Sequence, residues 1–165
     1  MKQHTSSSSS HSTTAHKGKS HYRHLLIMTV LSFIAMYVLM YSMVDVIGNA
    51  HPNLNQFYMA GLMTASMVLI EVAVMRSMYH NKKLNVAIGA GAVAALFLFF
   101  VFIRLQTAIS DRQFLKSMIP HHAGAILMCE RAPIRDPDIR RLCESIISGQ
   151  QAEIDQMKSK LRELR

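Results

Sequence analysis

Apolar positions in this chain fall into three long runs followed by two periodic stretches. Residues 25–44, 57–75 and 84–103 are almost continuously apolar and hold one charged residue, Glu71. Each run approaches the roughly twenty residues a helix needs to cross the hydrocarbon of a bilayer. No water is available there to satisfy the backbone, so such runs are expected to be helices. Polar connections separate them: 49–56 contains Pro52, and 76–83 contains Arg76, Lys82 and Lys83. Residues 1–23 are rich in Ser, Thr and His with little apolar content, which predicts a disordered arm.

After the third run the period changes. Asp111, Phe114, Met118, His121 or His122, Ala125 and Met128 recur every three or four positions along one helical stripe. Ser110 and Gln113 form a possible capping box for this helix; alternatively, the third run continues straight into it. Pro120 removes one backbone donor and is expected to kink the helix beside the histidine pair. A turn is predicted at 131–138, with Asp136 as N-cap and Pro137 as first helical residue. Ile139, Leu142, Cys143, Ile146, Ile147, Ile154, Met157 and Leu161 give the second helix its apolar period. Two helices alone bury little surface, so the hairpin needs a partner. The expected fold is all-α: a tail at 1–23, three transmembrane helices at 24–104 and an extracytoplasmic two-helix hairpin at 105–165, assembled as a homo-oligomer.

Charge sets the orientation. The formal net charge is +8, from 18 basic and 10 acidic residues. Lys2, Lys17, Lys19 and Arg23 precede the first run, the 76–83 turn is basic, and the 49–56 loop has no Lys or Arg. The positive-inside rule puts the N-terminus in the cytoplasm and the hairpin outside. A basic tail also suits anionic lipid. No zinc finger, strand aromatics or recognition helix accompanies the charge, which argues against nucleic acid as a partner.

The chemistry-bearing residues are sulfur and imidazole. On the first hairpin helix, Met118, His121, His122 and Met128 can share a face; Cys143, Glu144, Gln150, Glu153 and Met157 lie on the second. Thioether and thiolate select copper(I), while imidazole suits copper in either state and zinc. A nearby carboxylate such as Glu153 can orient an imidazole. Methionine also fills core gaps, which is the competing reading for each Met taken singly. Cys129 and Cys143 flank the turn and can form a disulfide, bind metal as soft ligands or remain reduced. Within the second run, Met59, Met63, Met67 and Glu71 are four apart and form a stripe that suits a soft cation or helix packing. Met36, Met40 and Met43 form a shorter stripe on the first. His4, His11, His16, His21 and His24 are a weaker candidate cluster. No phosphate loop, metalloprotease motif or hydrolase triad is present in the sequence, so no enzyme activity is expected.

The pattern Asp111-x-x-Phe114-x-x-x-Met118-x-x-His121-His122-x-x-Ala125-x-x-Met128, continued by Ile139, Leu142, Ile146, Ile147, Glu153, Ile154 and Met157, resembles a bacterial family of unassigned function. It is number 305 in the uncharacterised-domain series (DUF305), whose members are described as ferritin-like and His/Met-rich. That resemblance covers about residues 110–158. It implies a half-bundle, copper binding in the periplasm, ligands among Met118, His121, His122, Met128 and Met157, and supporting roles for Asp111 and Glu153. The expected function is a copper-binding protein of the bacterial inner membrane, acting in copper tolerance or delivery. Its rivals are an interaction module that oligomerises through the hairpin without metal, and a small metal-conducting oligomer.

Overall fold

The computed structural model describes residues 10–79 and 81–164, with side chains from His21 onward. Its helices are α1 (Ser10–Leu39), α2 (Leu54–Val74), α3 (Lys82–Leu105), α4 (Asp111–Arg131) and α5 (Pro137–Glu163), with 3-10 turns at Met40–Met43 and Ile47–Asn49 between α1 and α2. Among the described residues there is no strand. Among the described residues, three segments are long and apolar enough to cross a membrane: His21–Met43, Leu54–Val74 and Lys82–Leu105. α1 begins at Ser10, inside the stretch expected to be an unstructured arm; residues 1–9 lie outside the described residues.

α2 packs against both α1 and α3. A third of its most apolar stretch is buried, against 6% in α1 and in α3, so the outer two helices present most of their side chains outward. Gly61 permits the α2–α3 approach, since a β-carbon there would lie 2.5 Å from the Phe99 ring. Asn53 caps α2 by accepting from the Gln56 N–H at 2.9 Å, and Asn81 caps α3 by accepting from the Leu84 N–H at 3.1 Å.

α3 does not run on into α4. It ends at Gln106 in the left-handed conformation (φ 49°), and Ala108 is also left-handed (φ 58°). This reversal turns α4 back over the ends of α1 and α2. Tyr58 OH donates to the Thr107 carbonyl at 2.9 Å, and the side-chain amides of Asn55 and Gln106 bond reciprocally at 3.0 and 3.1 Å. The expected capping box is half made. Ser110 Oγ accepts the Gln113 N–H, but the Gln113 Oε1 accepts the Leu54 N–H at 3.1 Å, an orphan donor in the first turn of α2. One side chain therefore ties α4 to α2.

α4 and α5 pack antiparallel across a short turn. Asp136 accepts from the Asp138 and Ile139 N–H groups at 2.8 and 3.1 Å, with Pro137 as first residue, as the sequence predicts. Ile119, Ala123 and Ile126 of α4 close around Ile154 of α5. Ile147, Met157, Leu161 and, from the loop after α1, Val44 pack on this cluster. The hairpin core is thus completed by the 44–53 loop. Cys129 and Cys143 are joined in a disulfide, with Cα atoms 5.2 Å apart and a sequence separation of 14. Of the three states open to these cysteines, the structure has the bonded one.

Two stability outcomes follow. Ala108→Gly removes a β-carbon from a left-handed residue and is expected to stabilise the detergent-solubilised chain by about 1 kcal/mol, read as a higher Tm. Replacing both cysteines with serine reopens the hairpin loop and is expected to remove about 3 kcal/mol, measured by chaotrope unfolding with and without reductant.

Candidate functional site

α4 carries two working faces. One, through Ile119, Ala123 and Ile126, is buried on α5. The other, offset around the helix, carries Met118, His121, Ala125 and Met128. It faces the ends of α1 and α2 across a cleft of about 820 Å³. Met36, Met40 and Met43 reach this cleft from α1 and its terminal 3-10 turn, and Met59 and Met63 from α2. Seven of the chain's 13 methionines and His121 therefore line one space. Its polar lining is neutral, from Ser42, Asn53, Asn55, Gln56 and Ser117; no carboxylate, Lys or Arg contributes.

The close seat of α4 depends on Gly124. A β-carbon there would lie 3.3 Å from the Met43 carbonyl oxygen, so a larger residue requires the two backbones to separate by a few tenths of an ångström. Pro120 also lines the cleft, and α4 continues as a helix through it. Its missing N–H leaves the Lys116 carbonyl without the usual helical donor.

The expected convergence was between α4 and α5. The cleft instead lies between α4 and the spanning-length helices, and α5 contributes none of its lining. Met157 packs on the Ile154 cluster as a core residue. The sulfur of Cys143 is held in the disulfide and offers no thiolate. His121 and His122 diverge, with ring centroids 6.1 Å apart and planes at 62°. His121 is exposed to the cleft, whereas His122 is buried.

Both nitrogens of His122 are engaged. Nδ1 lies 2.9 Å from the Met118 carbonyl and Nε2 lies 2.6 Å from Glu153 Oε2. A carbonyl oxygen only accepts, so Nδ1 must donate to it. The short Nε2 contact then needs one more proton, on the ring or on the carboxyl. Either way, no ring lone pair is left for a metal. Glu153 thus pairs with an imidazole, and that imidazole fastens α5 to α4.

The α2 stripe divides. Met59 and Met63 line the cleft, whereas Met67 and Glu71 do not. Glu71 accepts a hydrogen bond from Tyr79 OH at 3.3 Å, near the other end of α2. Of the N-terminal histidines, His4 lies outside the described residues, as do the side chains of His11 and His16. Among the described residues, no group of three or more His, Cys, Asp and Glu is placed to hold a metal. The metal-donor side chains that line the cleft are thioether sulfurs and the His121 imidazole. The α1 stripe, Met36, Met40 and Met43, was visible in the sequence as a helical repeat but nothing there assigned it to the α4 residues.

Residues 101–161 match the family described as Domain of unknown function (DUF305). Over 142 residues the chain is 35% identical to an uncharacterised protein of Acanthamoeba polyphaga mimivirus, covering 84% of this chain and 91% of that protein. The chain belongs to the same family as that viral protein and carries a DUF305 domain at its C-terminal end. No solved structure matches it.

The His122–Glu153 pair supports a stability prediction. Glu153 is half exposed, which moderates the effect of removing it. Glu153→Ala is expected to lower stability by about 1–2 kcal/mol by leaving a buried imidazole nitrogen unpaired. Thermal unfolding of the variant unchanged from wild type would count against the pairing.

Proposed function

We propose that this chain is a membrane-anchored copper(I)-binding protein whose site is the methionine-lined cleft, acting in copper tolerance or delivery. The observation that carries this reading is the meeting of three separate methionine stripes with His121 in a space without charged side chains. Thioethers are soft, neutral donors that need no deprotonation, and they select a soft monovalent ion. Zinc and copper(II) favour imidazole, thiolate or carboxylate, of which this cleft offers one imidazole. Met118, His121 and Met128 are the donors α4 supplies, and Met43 and Met59 are candidates from the facing helices.

In this reading the chain crosses the membrane three times, with the basic N-terminal side in the cytoplasm and the hairpin on the opposite side. The disulfide supports this, because such bonds persist in oxidising compartments. In a bacterial inner membrane that compartment is the periplasm. Ile139 and Leu142 on α5 are exposed beyond the spanning segments, which supports association of hairpins into an oligomeric, ferritin-like bundle. Conduction through the membrane has less support, since Met67 and Glu71 lie away from the cleft.

The test is copper(I) titration of the full-length chain in detergent, with ascorbate, against a chromophoric copper(I) chelator. Wild type is expected to compete with submicromolar affinity, and silver(I) to displace the copper. Met118→Leu and Met128→Leu conserve volume and, like His121→Ala, are expected to weaken binding by about tenfold or more. Met157→Leu is expected to leave it unchanged. A wild-type chain that cannot compete, or a Met157→Leu loss equal to that of Met118→Leu, would defeat this reading.

A further inference from the structure

A second cavity lies on the other side of α4. It holds about 460 Å³ and is lined by His51, Arg112, Lys116, Lys158 and Arg162, with Gly48 and Leu161 completing it. The antiparallel hairpin creates it. Arg112 and Lys116 are four apart at the start of α4, and Lys158 and Arg162 are four apart at the end of α5. Each pair therefore shares a helix face, and antiparallel packing sets the two pairs side by side. No acid lines the cavity. Among the described residues, the ion pairs are His122–Glu153, Arg141–Asp138 and Lys160–Glu163, none of which neutralises these four cations.

Four like charges around one space repel unless something of opposite charge enters it. His51 adds an independent observation: its Nε2 is buried without a hydrogen-bond partner. Burial, then Lys158 and Lys116, push that imidazole below the ordinary histidine range, so it feels the positive field of the cavity. The chemistry complementary to this lining is an anion with several acceptor oxygens, able to take bonds from two guanidinium groups, two ammonium groups and an imidazole N–H.

We propose that this cavity is a phosphate-group site. Its place in the fold allows two sources for that group. Gly48 and His51 follow closely on the segment ending at Met43, and Arg112 follows closely on that ending at Leu105. In the three-crossing arrangement this is the level of lipid headgroups, and a headgroup phosphate can enter from the side. A free phosphate ion can enter from solvent. The site is separate from the methionine cleft, and its test is independent of copper.

The full-length chain in maltoside micelles, which carry no phosphate, is the starting state. Thermal unfolding is followed with inorganic phosphate against chloride at equal ionic strength, and with phosphatidylglycerol against a phosphate-free diacylglycerol. Wild type is expected to gain about 3 °C or more in Tm from at least one phosphate-bearing probe. A gain from inorganic phosphate identifies a free-ion site; a gain from the lipid alone identifies a headgroup site. The double variant Lys158→Gln/Arg162→Gln is expected to melt above wild type in chloride, because repulsion is relieved, and to lose the response to the probe. Arg112→Gln, on the other helix, should weaken the same response. No wild-type gain from either probe overturns the proposal, as does a double variant that melts lower in chloride and still responds.

Discussion

The arrangement depends on how α4 is seated. This helix has apolar or soft side chains on two faces, one buried in the hairpin and one lining a cleft. Ile119, Ala123 and Ile126 are covered by α5 around Ile154. Met118, His121 and Met128 are turned toward the ends of α1 and α2. The reversal at Gln106 and Ala108 makes this geometry possible, and bonds from Gln113 to Leu54 and from Tyr58 to Thr107 hold it. Gly124 lets the backbone of α4 approach Met43 closely enough to form the cleft.

Seating α4 in this way separates two chemistries. The cleft toward α1 and α2 gathers neutral sulfur and amides, and the cavity toward the 44–53 loop gathers cations. A soft cation is better received by the first than by the second, because thioethers attract it while ammonium and guanidinium groups repel it. The two spaces lie on different sides of one helix, so the basic side chains do not intrude on the methionines.

Several residues with ligand chemistry work instead in holding the hairpin together. Cys129 and Cys143 close its turn, His122 and Glu153 join its helices, and Met157 fills its core. Each is chemically able to bind metal, but a donor already bonded, paired or packed has no free lone pair facing the cleft. His121 differs from His122 by one position, or about 100° around the helix, and that rotation separates a cleft-lining imidazole from a structural one.

Much of this was legible in the chain itself. Run length and apolar content marked the three spanning-length helices, because the bilayer thickness they match is a property of composition and rise per residue. Asp136–Pro137 marked the start of α5, and the spacing of Ile147, Ile154 and Leu161 marked its buried face. These are local properties, decided within a few turns of helix. The partner of the α4 methionines was not local. Periodicity shows that Met118, His121 and Met128 share a stripe but not what the stripe faces. That was decided by a left-handed linker at an alanine and by one glutamine bonding to another helix. Likewise, Arg112, Lys116, Lys158 and Arg162 were two ordinary basic pairs until antiparallel packing set them around His51. Sequence alone determined which helices form and which faces they must cover; tertiary structure decided which faces meet, because that choice rests on contacts between residues far apart in the chain.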